Sequence, residues 1–233
     1  MSMPDSGGRR YVHSLLVWIV AALCLIVVLA CAGAVYQWAA LRRDRRLNPM
    51  PGQLVDVGGY RMHIYCTGQG SPTVILDAGL GDTWLAWYKV QPLIARFTRV
   101  CSYDRAGMGW SDPSPKPRTV EVMARELHRL LRNAGVGPPY VLVGHSFGGM
   151  VVRMFAGLYR DDGAAVVLVD SVSPDQDQLL PRQLEKSNAY FLRDQTLKQD
   201  TMLFGLPRLM GWCGNGPSAI RSALRTVDCR VGP

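Results

Sequence analysis

Two hydrophobic patterns alternate along residues 53–170 of the chain. Short apolar runs predict buried strands, and segments with an apolar residue at every third or fourth position predict amphipathic helices. The clearest helical segment is Thr119–Asn133, in which the apolar positions recur with the helical period and which ends before Gly135. Strand and helix patterns that alternate at this spacing indicate an α/β sheet with right-handed crossovers.

Several of the apolar runs have the length of strands. They are Gln53–Val57, Arg61–Cys66, Thr73–Leu76, Arg99–Tyr103, Tyr140–Val143 and Ala164–Val169. Gly58-Gly59 predicts a hairpin between the first two. Further helices are predicted over Thr83–Phe97, with a break at Pro92, and over Phe147–Tyr159. The last strand is apolar almost throughout, which is typical of a parallel strand covered on both faces.

A third pattern occupies residues 11–41, which contain no Asp, Glu, Lys or Arg. About 20 apolar residues suffice to cross a bilayer, so this run predicts a transmembrane helix that contacts the lipid bilayer. A cleaved signal peptide is the alternative, with Arg9-Arg10 as its basic region and Ala32-Gly33-Ala34 as the cleavage site. Because the run is long for a signal peptide, we favour the retained anchor.

Arginines flank this run on both sides. Arg42, Arg43, Arg45 and Arg46 follow it, and Arg9 and Arg10 precede it. The positive-inside tendency favours a single-pass protein of the cell membrane with its C-terminal part in the cytoplasm, and the opposite topology stays open. These arginines also carry a good part of the net charge of +8. Since no basic and aromatic recognition motif accompanies them, we expect no binding of nucleic acid.

The patterns divide the chain into consecutive parts. We expect an N-terminal tail over 1–10, a transmembrane helix over 11–41, a linker over 42–52, an α/β core over 53–174, and a partial helical cap with a C-terminal tail over 175–233. Residues 175–209 are polar and helix-prone, and residues 211–233 are rich in turn-forming residues.

Catalytic chemistry is indicated by Gly144-His145-Ser146-Phe147-Gly148, which lies between a predicted strand and a predicted helix. A serine at the apex of a sharp strand-to-helix turn, with a glycine two residues to either side, forms a nucleophile elbow. The glycines are needed because side chains at those positions would collide. We therefore predict that Ser146 is a nucleophile.

Two further motifs follow predicted strands. They are Asp77-Ala78-Gly79-Leu80-Gly81-Asp82 and Tyr103-Asp104-Arg105-Ala106-Gly107-Met108-Gly109-Trp110-Ser111-Asp112. With the elbow, they make the chain similar to the α/β-hydrolase superfamily, in particular its membrane-anchored bacterial esterase-like members, over roughly residues 53–233. The first motif corresponds in position to the family's oxyanion loop, with Ala78 where the family usually has His, and the second resembles its Y-D-R-x-G-x-G-x-S-D turn.

The resemblance implies an α/β-hydrolase fold with a mostly parallel sheet, of whose eight strands about six are present in this chain. It implies that Ser146 attacks a small-molecule carboxylic ester and that the backbone amides of Leu80 and Phe147 stabilise the oxyanion. The anchor favours lipophilic esters. Asp104 and Arg105 are expected to be structural, and no cofactor is expected.

The family's catalytic base has no counterpart after the serine. The histidines of this sequence are His13, His63, His128 and His145, and none follows Ser146. His63 is expected to be a satisfied strand residue and His128 to lie on a solvated helix face. Asp170, after the last predicted strand, is the candidate acid, and a bond to a loop backbone is its alternative role. We expect weak or no turnover, and a C-terminally truncated reading frame is the simplest account.

The cysteines suggest no metal site. Cys66 and Cys101 lie in predicted strands and are expected to be buried small hydrophobes. Cys213 and Cys229 form either a disulfide, which requires an oxidising compartment, or two free thiols. No Cys and His cluster has the spacing of metal ligands, so we expect no bound metal.

Three functions are compatible with these features. The first is a membrane-anchored serine hydrolase of carboxylic esters. The second is a non-catalytic pseudo-hydrolase that binds a ligand at the membrane. The third is a fragment that another chain complements with the last strands, the acid and the histidine.

Overall fold

The computed structural model describes residues 6–173, 175, 201 and 204–211, and for residues 6–10 and 207 it describes the backbone alone. Its elements are α1 (Ser6–Leu47), β1 (Gln53–Asp56), β2 (Arg61–Thr67), β3 (Thr73–Asp77), a 3₁₀ helix (Trp84–Trp87), α2 (Gln91–Ile94), β4 (Val100–Tyr103), α3 (Val120–Asn133), β5 (Tyr140–His145), α4 (Gly148–Leu158), β6 (Gly163–Val169) and α5 (Leu206–Leu209). Most of the predicted cap and tail, with Cys213 and Cys229, lies outside the described residues.

The strands form one sheet in the order β1-β2-β4-β3-β5-β6. Strands β4, β3, β5 and β6 are parallel, and the β1–β2 hairpin adds to β4 antiparallel. The mostly parallel α/β sheet predicted from the sequence is therefore confirmed. Because the four parallel strands point the same way, their carboxyl ends and the loops that follow them meet at one edge of the sheet.

Two hydrophobic clusters form the core, one on each face of the sheet. The larger one lies under α3 and α4 and includes the fully buried Ile75, Leu127, Leu142 and Phe155. The smaller one contains Val74, Leu76, Ala78, Trp87 and Val100. Alternate residues of β3 enter the two clusters because successive side chains of a strand point to opposite faces.

The amphipathic helix α3 forms as its periodicity predicts. The Thr119 side chain accepts a hydrogen bond from the amide of Val122 at 3.2 Å and so satisfies one of the free donors at the helix start. By contrast, the helix predicted over Thr83–Phe97 consists of the 3₁₀ helix and the separate α2. Pro92 lies in the first turn of α2, where its missing N–H removes no hydrogen bond, so it begins that helix.

Helix α1 is the one helix of the described residues that is long and apolar enough to span a membrane. Its large apolar side chains from Tyr11 to Trp38 are 45–80% exposed. The helix continues through Arg42 to Leu47, so the first half of the predicted linker is helical. Near this end, Arg208 bonds Gln37 at 3.1 Å and Asp44 at 2.6 Å. These contacts seat residues 204–211 along α1.

Cys66 and Cys101 differ from the sequence expectation. They lie opposite each other on the antiparallel strands β2 and β4, and they form a disulfide instead of two buried thiols. Their separation of 35 residues hid this pairing, because only the register of the two strands brings the cysteines together.

Strand β6 lies at the edge of the described sheet. It pairs with β5 on one side, and its side chains from Val166 to Val169 are 40–44% exposed. A strand of this composition is typical of the covered interior of a parallel sheet, so β6 presents an exposed apolar edge within the described residues.

Tyr140 provides a test of this core through the pH dependence of stability. Burial, and next the charge of Asp162, raise the pKa of Tyr140 to about 12, and the hydroxyl donates to the carbonyl of Val136 at 2.6 Å. A raised pKa means that folding favours the protonated phenol. The stabilisation is complete below the unfolded-state pKa near 10 and is lost as the pH rises towards 12, by up to about 3 kcal/mol.

We expect Tyr140→Phe to cost about 1 kcal/mol at pH 8, because the hydrogen bond is lost, and to reduce the further loss between pH 10 and pH 12. Urea denaturation at pH 8 and pH 11.5 measures both effects. Tyr11→Phe, at an exposed position of α1, is the control and leaves both values unchanged. Equal alkaline losses in wild type and Tyr140→Phe contradict the assignment.

Candidate active site

Ser146 lies at the turn between β5 and α4, at the edge where the parallel strands end. Its φ of 50° is in the left-handed region, which is strained for a residue with a side chain. The amide of Ser146 donates to the carbonyl of Val169 at 3.1 Å, and its carbonyl accepts from the amide of Val172 at 3.2 Å. Hydrogen bonds to β6 and the segment after it thus hold the turn.

The glycines on either side of Ser146 lie where a side chain has no room. A Cβ on Gly148 would lie 2.5 Å from the carbonyl oxygen of Asp77 and 2.6 Å from that of Ala78. A Cβ on Gly144 would lie 2.5 Å from the Cα of Gly149. The start of α4 therefore packs directly on the end of β3, and the glycine spacing has the steric cause that the sequence suggested.

The loop after β3 turns back towards the elbow. Asp82 donates from its amide to the carbonyl of Gly79 at 3.2 Å, and Gly81 takes a φ of 79°. A left-handed glycine at the third position is the mark of a type II turn. A Cβ on Gly79 would lie 3.2 Å from Nδ1 of His145, which places the loop against the elbow.

The amides of Leu80 and Phe147 donate to no acceptor among the described residues. Phe147 is the N-cap residue of α4, where backbone N–H groups lack helical acceptors and the helix dipole is positive. Two free N–H donors on loops in contact with each other suit an oxygen that carries negative charge.

Arg105 connects the loop after β4 to the loop after β3. Its side chain is 6% exposed, and its Nη1 donates to Asp77 Oδ1 at 2.5 Å and to the carbonyl of Ala78 at 2.7 Å. Nη2 donates to the carbonyl of Gly79. Burial alone would lower the pKa of Arg105, but Asp77 and Tyr103 together raise it above its usual value. The guanidinium is therefore a buried cation, and both of its terminal nitrogens are hydrogen-bonded.

Asp104 holds the turn after β4 from the inside. The fully buried carboxylate lies 2.8 Å from Nδ1 of His63 and accepts from the amides of Trp84 at 2.8 Å and Trp110 at 3.0 Å. Nε2 of His63 lies 2.7 Å from the carbonyl of Pro51. Both ring nitrogens of His63 are thus engaged, as expected for a satisfied strand residue.

Asp170 follows β6 and has a φ of 44°. Ser146 and Asp170 are the non-glycine residues with a left-handed backbone among those described, and they end two neighbouring parallel strands. The bond from Ser146 to Val169 brings the backbone of Asp170 beside the elbow. Asp170 is exposed, and its carboxylate accepts no hydrogen bond within the described part of the chain.

The remaining histidines do not supply a base beside Ser146. His145 packs edge-on to Trp87, with ring centroids 6.4 Å apart. His128 is not on a solvated face as expected: it stacks on Tyr159 at 3.7 Å and lies 3.1 Å from Asp162. Tyr159 caps the end of α4 that is farther from the elbow, and α4 is about 15 Å long. Since α3 packs beside α4, His128 lies about one helix length from Ser146. No group of three or more potential metal ligands occurs among the described residues.

The link between Arg105 and the loop after β3 is the feature that the sequence did not reveal. The available signal was an aspartate at the end of one strand, Asp77, and an arginine after another. That signal becomes specific only once β3 and β4 are known to be parallel neighbours, since their carboxyl ends then adjoin.

Comparisons with known proteins agree with this geometry. The family model described as alpha/beta hydrolase fold matches residues 72–213. YbdG of Bacillus subtilis, an uncharacterised protein, is 28% identical over 160 residues, which is 67% of this chain and 49% of YbdG. An AB hydrolase superfamily protein of Gibberella zeae is 41% identical over 108 residues, which is 46% of this chain and 34% of that protein.

Among solved structures, Cfl2 from Burkholderia cenocepacia is similar with a TM-score of 0.50 and 30% sequence identity, over 52% of this chain and 42% of that chain. The chain thus spans about half or less of the length of these relatives.

Two glycines of α4 test the close packing at the elbow. We expect Gly148→Ala to destabilise the domain by about 1–3 kcal/mol, because its methyl group overlaps the carbonyls of Asp77 and Ala78. Gly157 has open space around it and is the matched control, for which alanine stabilises by up to about 1 kcal/mol. Urea denaturation of both variants measures the difference in the free energy of unfolding. Equal effects of the two changes would contradict the close packing of Gly148 on β3.

Proposed function

The chain belongs to the alpha/beta hydrolase fold family, and we propose that it is a membrane-anchored serine hydrolase of carboxylic esters. The observation that carries the proposal is the strained Ser146 turn, which lies against a loop with a free amide. A left-handed backbone at a non-glycine residue persists only where the surrounding structure enforces it, and such residues cluster at functional sites.

The proposed reaction is an acyl transfer. The Oγ of Ser146 attacks the ester carbonyl carbon and passes its proton to water, the weak base at hand, and the carbonyl oxygen becomes an oxyanion between the amides of Leu80 and Phe147. The tetrahedral intermediate collapses to an acyl-serine as the bond to the alkoxide breaks, and the alkoxide takes up that proton and leaves as the alcohol. A second water then attacks the acyl-serine, the bond to Ser146 breaks, and the carboxylic acid is released while Oγ regains a proton from that water. No step requires a metal or a cofactor.

The proton of Ser146 needs a base, and no histidine follows Ser146 in this sequence. We assign Asp170 as the acid of the site because it lies beside the elbow and bears an unbonded carboxylate among the described residues. In a complete triad, such a carboxylate orients the histidine. Without the histidine, turnover falls by roughly four to six orders of magnitude, so we propose weak turnover by this chain.

The strained turn and the free amides are also compatible with a second candidate function, a pseudo-hydrolase that binds ester-like ligands without cleaving them. Ester turnover by the purified chain that Ser146→Ala abolishes would exclude this candidate. The exposed edge of β6 favours a variant of the first proposal, in which a second chain adds strands and a base. Co-purification of a partner that restores turnover distinguishes this variant.

The membrane component of the proposal rests on α1. The helix is long enough to cross a bilayer, and its apolar side chains are exposed along the charge-free run. Near its C-terminal end, Arg42 lies 3.7 Å from the ring of Trp38, a pairing that suits the membrane–water interface. An anchor concentrates the site at the bilayer, which favours lipophilic esters as substrates.

The side of the membrane follows from the cysteines in our proposal. Disulfides persist in oxidising compartments, so the Cys66–Cys101 bond favours a hydrolase domain on the non-cytoplasmic face. This is opposite to the topology that the arginines after α1 favour. We give the disulfide more weight because arginines flank the apolar run on both sides and the excess after it is small.

A fluorophosphonate probe tests the nucleophile. We expect slow labelling of the full chain in detergent micelles, because the oxyanion donors are present and the base is lacking, and we expect Ser146→Ala to abolish it. Ser171→Ala is a matched control at a neighbouring serine and keeps the labelling. Labelling that persists in Ser146→Ala contradicts the assignment of Ser146.

Thiol counting tests the topology. After acid trapping of cells, we count how many more polyethylene-glycol maleimide adducts the reduced chain takes up than the unreduced chain. We expect this difference to be smaller by two in the double variant Cys66→Ser/Cys101→Ser, which also loses about 3–4 kcal/mol of stability, the chain-entropy value for a loop of this length. An equal difference in the wild type and the double variant contradicts the disulfide and with it the argument for the non-cytoplasmic face.

A further inference from the structure

The acceptors of Arg105 all lie on one short segment. They are the carboxylate of Asp77 and the carbonyls of Ala78 and Gly79. Asp77 alone is enough to neutralise the buried cation, so the two carbonyl bonds serve the geometry of the loop rather than the balance of charge. The planar fork of a guanidinium donates in several directions at once, which a lysine ammonium on a single atom does not reproduce.

The bond to Gly79 fixes the direction of the next amide. The Gly79–Leu80 peptide is trans, and in a trans peptide the C=O and the N–H point to opposite sides. The Gly79 carbonyl accepts from Arg105 on one hand and from the amide of Asp82 on the other. The Leu80 N–H is therefore directed away from both donors, to the side where it meets no acceptor in the described part of the chain.

The same guanidinium also lies beside the second amide donor. Cζ of Arg105 is 5.5 Å from the centre of the Phe147 ring, within the range of a cation–π contact. Gly148, the next residue, packs on the carbonyls of Asp77 and Ala78. Arg105 thus contacts the peptide that carries one free amide and the side chain of the residue that carries the other.

We propose that Arg105 is a positioning residue that fixes the two amide donors, of Leu80 and Phe147, which face the oxyanion. The inference rests on the proposed acyl-transfer function, because it gives those amides their role. It goes beyond a structural role for Arg105, since a merely structural residue would support the fold without setting the direction of the Leu80 N–H.

The test compares Arg105→Lys with a matched control in the full chain. Arg105→Lys keeps a cation beside Asp77 and loses the fork, and we expect it to slow fluorophosphonate labelling of Ser146 by about 10- to 100-fold. Arg61→Lys changes the exposed arginine that pairs with Asp112 at 2.9 Å in the same region, and labelling stays at the wild-type rate. Melting temperatures measured in parallel confirm that each variant is folded.

A second readout does not depend on reactivity. In protein labelled with ¹⁵N-leucine, with the Leu80 signal assigned through Leu80→Met, we expect an amide order parameter near 0.85 in wild type and below about 0.6 in Arg105→Lys. If Arg105→Lys does not fold, the double variant Asp77→Asn/Arg105→Gln removes both buried charges and is measured in its place.

The outcomes separate the two proposals. Labelling that does not depend on Ser146 overturns the proposed function. The order parameter of the Leu80 amide still decides whether Arg105 fixes the orientation of that N–H. Ser146-dependent labelling with an unchanged rate and an unchanged Leu80 order parameter in Arg105→Lys overturns the positioning role and leaves the proposed function intact.

Discussion

The parallel register of β3 against β5 is the constraint on which the candidate site depends. It places Asp77 opposite Gly144, so that both strands end at the same height and their following loops meet. Gly148 then packs directly on the carbonyls of Asp77 and Ala78, and Gly79 lies against His145. A shift of one residue would turn every side chain of β3 to the other face and would separate the loop after it from Ser146.

Buried charge reinforces this arrangement from the neighbouring strands and from α3. Three carboxylates are buried and hydrogen-bonded. Asp77 bonds Arg105 and Tyr103, and Asp104 bonds His63 and two backbone amides. Glu126 bonds Arg118, Ser114 and Tyr60. A buried charge without its partner costs several kcal/mol, so each pair restricts the loops to one arrangement. Electrostatics therefore selects the conformation of a site that hydrophobic packing alone would leave less defined.

The sequence predicted the parts of this protein that depend on local pattern. Apolar periodicity predicted α3 and the strands to within two residues, and the glycines around Ser146 predicted the tight turn. It could not predict contacts that depend on which strands are neighbours. The Cys66–Cys101 disulfide requires the β2–β4 register, and the reach of Arg105 to Gly79 requires β4 to lie beside β3. The stacking of His128 is a contact of the same kind, because its partner Tyr159 lies at the end of a different helix.

Under the proposed function, two components of catalysis depend on different parts of the molecule. Donors for an oxyanion depend on the backbone of the loop after β3 and on the start of α4, and these are held by the register, by Arg105 and by the glycines. Proton transfer depends on a side chain from elsewhere in the sequence, and no histidine after Ser146 provides it. Preorganised donors and binding alone leave a residual acceleration of about 10³–10⁴ in triad enzymes that have lost a member. Under the proposed function, the donors would therefore act on a planar, polarised carbonyl, and their positions depend on backbone geometry that the base does not influence.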